Sequence, residues 1–120
     1  MANLQSVELL SNERNLGFVG SVNRALNHVT EGDIVLLNSD TIVPAGFANR
    51  LAAAARSSPD IGTVTPLSNN GDLAGFPLRN VANPMGSPET VQAIDKVAGE
   101  IHAAQVVDIP NGIGFCLYVT

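Results

Sequence analysis

The stretch DIVLLNSDTIV, Asp33 to Val43, decides how the rest of the chain is read. Ile34, Val35, Leu36 and Leu37 form a continuous apolar run closed by polar residues. That is the pattern of a strand buried on both faces, as in a parallel sheet. Asn38, Ser39, Asp40 and Thr41 follow at once. In open α/β sheets ligands collect at the carboxyl ends of strands. A carboxylate carried there by a rigid strand can hold a hard cation, and the cation can hold a diphosphate. The plainer reading is that Asn38 and Asp40 shape a turn and cap the next helix. N-x-D is a weak motif, and on spacing alone the plainer reading outweighs the other.

Working outward, strands and helices are expected to alternate. Val7 to Leu10 reads as a first strand, and Asn12 to Gly20 as a polar loop. Gly20-Ser21 opens a helix with Ser21 as N-cap, and Val22, Ala25, Leu26 and Val29 line one face of it. Pro44 can start the next helix, whose buried stripe is Phe47, Leu51 and Ala54 or Ala55. Ile61 to Thr65 is a second buried-type strand. Leu67 to Ser87 then loses all periodicity, and loops beyond ~12–15 residues are usually functional or disordered. Ser87-Pro88-Glu89 is a strong helix start: N-cap, proline at the first helical position, an acid near the positive end of the dipole. Val91, Ile94, Ala98 and Ile101 line that helix. Val106 to Ile109 and Gly114 to Val119 read as further strands. This alternation predicts an α/β layered domain, with a strand at each end of the chain.

Composition removes several functional classes. The chain has 120 residues, enough for one domain or part of one. Its formal net charge is -5, and its basic residues, five arginines and Lys96, are scattered. Without a basic patch, nucleic acid is not an expected partner. Cys116 is the single cysteine, so an intrachain disulfide and a cysteine-rich zinc site are excluded. No apolar run approaches the ~20 residues needed to span a bilayer. The start, MANLQSVELL, lacks the features of a signal peptide. A cytoplasmic setting is expected, with any membrane association supplied by other parts of a full-length protein.

Four blocks occur in order: NLGFVGSVNRAL (Asn15 to Leu26), GDIVLLNSDTIVP (Gly32 to Pro44), PDIGTVTPLSNN (Pro59 to Asn70) and IPNGIGFCLYV (Ile109 to Val119). Together they resemble the family-2 glycosyltransferases with a GT-A fold, a three-layer α/β/α sandwich. The resemblance is closest to the bacterial rhamnosyltransferase and O-antigen-type branch. It covers nearly the whole chain and implies that residues 1–120 form a partial catalytic domain, truncated at both ends. It also implies a nucleotide-sugar donor, a glycan or lipid-linked acceptor in polysaccharide biosynthesis, and Mg²⁺ or Mn²⁺. The family's D-x-D motif falls on Asn38-Ser39-Asp40. Asp40 matches the final acid, the metal ligand. Asn38 departs from the first acid; it keeps a carbonyl acceptor but loses the charge. The family's nucleoside-gripping stretch (D-D-x-S-x-D) and the acidic motif that carries its catalytic base have no counterpart here.

The remaining candidates carry two readings each. Asn15, Gly17 and Gly20 precede a helix N-terminus, which suits phosphate, or they simply form a tight turn. The spacing G-x-x-G is not a dinucleotide fingerprint. With the resemblance, Asn15, Gly17 and Asn23 join Asn38, Ser39 and Asp40 as the nucleotide-sugar side. Arg24 reads as a solvated charge and Asp33 as a turn residue. Ser68 and Asn69 follow a strand end, and Gly112 and Gly114 permit close backbone approach; these form the sugar or acceptor side, or else plain loop and turn. His28 and His102 sit at helix ends, and Cys116 is a core thiol.

The functional expectation is part of a metal-assisted, inverting glycosyltransferase acting on a bacterial surface glycan. The 120-residue chain itself is expected to be inactive, its base lying beyond Thr120, and to self-associate through unpaired sheet edges. Asp72 is the one free acid that could swing toward the site. The competing reading is a non-catalytic nucleotide-sugar or glycan-binding module of the same fold. A domain for another nucleotide cofactor is disfavoured by the glycine spacing.

Overall fold

The computed structural model describes residues 7–102 and 105–120. The chain divides into two compact units, Met1–Gly32 and Asp33–Thr120. In the first, α1 spans Gly17–Leu26. In the second, the order is β1 (Ile34–Leu37), α2 (Phe47–Ala55), β2 (Thr63–Val64), a 3₁₀ turn at Asp72–Ala74, α3 (Pro88–His102) and β3 (Cys116–Val119). Mixed helices with a small sheet are compatible with the α/β class.

The sheet has three strands in the order β1-β3-β2. β3 runs antiparallel to both neighbours, with Ile34 opposite Val119, Leu37 opposite Cys116, and Val64 opposite Tyr118. β1 and β2 therefore run parallel to each other and are separated by a reversed strand. The expected parallel pairing of β1 is corrected accordingly. So is its burial on both faces: Leu37 is exposed and the other three residues are half-buried. A run of four apolar residues cannot report what lies on each side of it.

Period-two alternation does hold in β3, where Cys116 and Tyr118 are buried and Leu117 and Val119 are half-buried. Cys116 and Tyr118 pack with Leu51 and Ala55 of α2 to form the core, joined at its margin by Val35, Phe47, Ala52, Ile61, Val64 and Phe115. The stripe expected on α2 is thus the stripe it buries. Its start differs: Gly46 takes the N-cap position in the left-handed conformation (φ 72°), and Pro44 sits in the preceding turn, its carbonyl accepting from the Phe47 N–H. Only glycine adopts that conformation without steric cost.

Four other expectations fail. Val7–Leu10 and Val106–Ile109 are not strands, and Val7, Leu9, Val106 and Val107 are exposed. Short apolar runs become strands only when a neighbour completes their hydrogen bonds. The second strand shrinks from Ile61–Thr65 to Thr63–Val64. Helix α1 begins before Ser21, because Asn15 accepts the Gly17 N–H through its side chain at 2.8 Å and turns the chain there. Ser21 instead lies inside the helix and bonds the Gly17 carbonyl at 2.8 Å.

α3 starts where the sequence places it, with Ser87 Oγ accepting the Thr90 N–H at 3.3 Å. Its apolar face is less covered than expected: Ile94, Val97 and Ile101 are exposed. Two polar links tie it to α2 and the turn before it, a two-oxygen ion pair from Arg50 to Asp95 (2.9 and 3.0 Å) and an Ala45 N–H to Gln92 bond at 3.1 Å. No helix of the described residues is long and apolar enough to cross a membrane.

Candidate functional site

The antiparallel register puts the carboxyl ends of β1 and β2 and the amino end of β3 on one edge of the sheet. The Asn38 N–H donates to the Phe115 carbonyl at 2.9 Å, one step past the last paired residues. The Thr41 N–H returns to the Asn38 carbonyl at 3.2 Å, closing a turn whose two central residues are Ser39 and Asp40. Asn38, Ser39 and Asp40 are all exposed. The turn reading of this segment therefore describes its backbone, and the same turn delivers the Asp40 carboxylate to solvent at the strand end.

Gly112 and Gly114 lie on this edge too. The Ile113 N–H donates to Thr65 Oγ1 at 3.0 Å, stitching the turn before β3 to the end of β2. A Cβ on Gly112 would stand 2.6 Å from Leu117 Cδ1, so glycine lets the chain lie against that side chain. Gly114 has open space around it.

Ser68 and Asn69 begin the long loop after β2, and both side chains are engaged within it. Ser68 Oγ accepts the Asn70 N–H at 3.2 Å, and Asn69 Nδ2 donates to the Asn83 carbonyl at 3.2 Å. Asn83 was not singled out by the sequence, yet its amide organises the loop. It is 8% exposed, and it makes four hydrogen bonds: from the Leu78 N–H, and to the carbonyls of Asn69, Leu78 and Val81. One asparagine among several in an aperiodic stretch carries no signal that could have marked it. Asp72 has its backbone held at φ 45°, with its carbonyl accepting from the N–H groups of Gly75 and Asn80, both at 3.0 Å, while its side chain is exposed.

The other nucleotide-side candidates belong to the unit Met1–Gly32. Asn15 is spent on the turn at Gly17, where φ is 66°. Asn23 is exposed on α1. Arg24 is not simply solvated; one guanidinium nitrogen reaches the Ser11 carbonyl and Asn12 Oδ1, each at 2.6 Å.

Asp33 does more than turn the chain. At the sheet edge opposite Asn38 it accepts the Tyr118 hydroxyl and an Arg56 guanidinium N–H, the latter at 3.1 Å. That hydroxyl bond is the main cause holding the Tyr118 phenol above its ordinary range, with burial adding to it and Arg56 opposing it. Burial pushes the Cys116 thiol up as well. Glu89 is held below the ordinary carboxylate range by its bond with Ser87 and by backbone hydrogen bonding at the start of α3.

Asp40 is a single exposed carboxylate, and among the described residues no three His, Cys, Asp or Glu side chains gather into a metal cluster. Such a donor set cannot enclose an ion alone. It fits Mg²⁺ or Mn²⁺ arriving with phosphate oxygens and water, the usual manner of Mg²⁺ at nucleotide sites. The depressions in the surface lie elsewhere, along α3: one of about 610 Å³ bordered by Pro88, Glu89, Gln92, Ala93 and Lys96, the other of about 240 Å³ beside Phe76 and Ile94. Both are shallow and open; the first is bordered by the polar side chains of one helix alone, and the second is almost wholly apolar. The strand-end edge is the better candidate on chemistry. Comparison with family models, curated proteins and solved structures finds no match to this chain.

Proposed function

We propose that the edge formed by Asn38–Asp40 and Gly112–Phe115 binds the diphosphate of a nucleotide sugar, and that the chain is the central part of a GT-A, family-2-type glycosyltransferase. One observation carries the reading. The exposed acid expected to hold the cation stands at a strand end beside the two glycines expected on the sugar side. Asp40 would hold the Mg²⁺ or Mn²⁺ ion, and Asn38 would offer its side-chain carbonyl to a ribose hydroxyl or a metal-bound water. When bound, the ion supplies Lewis-acid stabilisation of the leaving diphosphate. Transfer with inversion also needs a base on the acceptor hydroxyl. The Asp33 and Asp95 carboxylates are engaged elsewhere, by Tyr118 and Arg56 and by Arg50, and Asp72 is an exposed acid of the loop after β2. No base is assigned among them, and transfer by these 120 residues is not expected. The acceptor is a glycan or lipid-linked glycan, and the exposed sheet edges favour self-association, which light scattering reads directly.

The test is calorimetric binding of uridine, guanosine and thymidine diphosphates, with and without Mn²⁺, to the parent chain and to Asp40→Ala. Mn²⁺-dependent binding of one diphosphate that is lost in Asp40→Ala is expected. Equal, metal-independent binding by both proteins would remove the assignment.

A further inference from the structure

We propose that Asn83 is a positioning residue for the sugar side of this site: it fixes the loop Ser68–Asn83 as a rigid wall that discriminates between donor sugars. The inference rests on the function proposed above. An aperiodic loop of this length is expected to be either mobile or functional. This one is tied at three levels. At its base, the Asn83 N–H donates to the Asn69 carbonyl at 2.8 Å, and Asn69 Nδ2 returns to the Asn83 carbonyl. At mid-height, Ser68 exchanges backbone bonds with Ala74 (2.9 Å) and Phe76 (2.8 Å). At its far turn, the Asn80 N–H reaches the Asp72 carbonyl. The Asn83 amide runs through the middle and satisfies both polar backbone groups of Leu78.

Two residues of the loop take the left-handed conformation, which Asp and Asn enter at lower cost than other non-glycine residues. Asp72 and Asn80 are the two non-glycine residues of positive φ among the described residues, at 45° and 58°. Strain of that kind persists only where surrounding bonds over-determine it, and it clusters at functional sites. Ala74 is buried but small, and Leu73, Leu78 and Val81 remain exposed on the loop, so burial of an apolar core contributes little to the clamp. Position supplies the role. Thr65 receives the Ile113 N–H at the candidate edge, and Ser68 follows three residues later, within about 10 Å of extended chain. A wall fixed there would meet the group attached to the diphosphate, and fixed polar groups discriminate between hydroxyl patterns more sharply than mobile ones.

The experiment compares each diphosphate with its sugar ester (UDP with UDP-glucose, GDP with GDP-mannose, dTDP with dTDP-rhamnose) by calorimetry in Mn²⁺. Three proteins are used: the parent chain, Asn83→Asp and Gly75→Ala. Asn83→Asp keeps the acceptor for the Leu78 N–H and loses the donors to three carbonyls. Gly75→Ala loosens the loop independently, because its Cβ would stand 2.8 Å from the Leu78 carbonyl oxygen and 2.9 Å from that of Asp72. Hydrogen exchange confirms that loop amides open while those of β3 stay protected. The parent should prefer one sugar ester over its diphosphate by about tenfold. Both variants should lose that preference, with diphosphate affinity within about twofold of the parent. An unchanged preference in variants with an opened loop would overturn the proposal, as would a parallel fall in diphosphate and sugar binding. A parent that binds no diphosphate would overturn the functional reading itself, and this inference with it.

Discussion

Replacing Leu51 with alanine should destabilise the unit Asp33–Thr120 by about 3 kcal/mol. Leu51 is 5% exposed and packs against β3 through Cys116 and Tyr118. The change removes three carbons, each worth about 0.8 kcal/mol when buried, or about 2.4 in all. A residual cavity adds about 24 cal/mol per Å³. Val35, Phe47 and Val64, only partly buried at the margin, can relax inward and keep that addition small. A domain holds only ~5–15 kcal/mol in total, so the loss is a large share of it. Ile94→Ala on α3 is the control: Ile94 is 42% exposed and should cost no more than about 1 kcal/mol. Urea unfolding followed by circular dichroism separates the two. With a slope of ~1.5 kcal/mol per M, the midpoint should fall by about 2 M for Leu51→Ala and by under about 0.7 M for Ile94→Ala. Equal shifts, or a larger shift for Ile94→Ala, would refute the placement of the core between α2 and the sheet.

Alkaline pH should weaken the fold. Cys116 and Tyr118 both hold their protons more tightly folded than unfolded, so their contribution is intact below the ordinary thiol and phenol values of ~8.5 and ~10 and is lost as pH rises beyond them. Melting temperature should therefore fall above about pH 8.5, less steeply in Cys116→Ala; a rise between pH 9 and 11 would contradict this. Glu89 works in the opposite sense: its lowered value stabilises above the ordinary ~4.3 and is lost on acidification, so Glu89→Gln should flatten the acid limb of the same profile. Arg50→Gln should cost under about 1 kcal/mol, since Arg50 is half-exposed, yet raise amide exchange along α3 by removing its ion pair with Asp95. Unchanged exchange in α3 would mean that Gln92 and local packing hold the helix without that pair.

The legible parts of this fold were those set by one residue's own chemistry or by a sustained period. Ser87-Pro88-Glu89 fixes the start of α3, Phe47, Leu51 and Ala55 form the stripe of α2, and Cys116 and Tyr118 alternate inward along β3. What failed was decided by partners distant in the chain. Val7–Leu10, interrupted by Glu8, and the wholly apolar Ile34–Leu37 both read as strands, and only the second is one, paired with β3. The direction of β3 relative to its neighbours leaves no mark on its composition. Of the residues of the proposed site, Asn38, Asp40, Gly112 and Gly114 are nameable from motif and position, and their segments lie at one edge of the sheet. Asn83 was invisible because its importance comes from four backbone groups spread between Asn69 and Val81. Asp33 was read as a turn for the same reason: Tyr118, its partner, lies at the other end of the chain.

The assignment of Asp40 as the cation-holding acid at a diphosphate site is tested most directly by paramagnetic broadening of backbone amide resonances. Mn²⁺ is titrated into the isotope-labelled chain in the presence of the diphosphate selected by calorimetry. Saturable broadening should centre on Asn38–Thr41, extend to Gly112–Phe115, and vanish in Asp40→Ala. Broadening centred instead on α3 near Glu89 and Asp95, or broadening at Asn38–Thr41 that persists unchanged in Asp40→Ala, would contradict it.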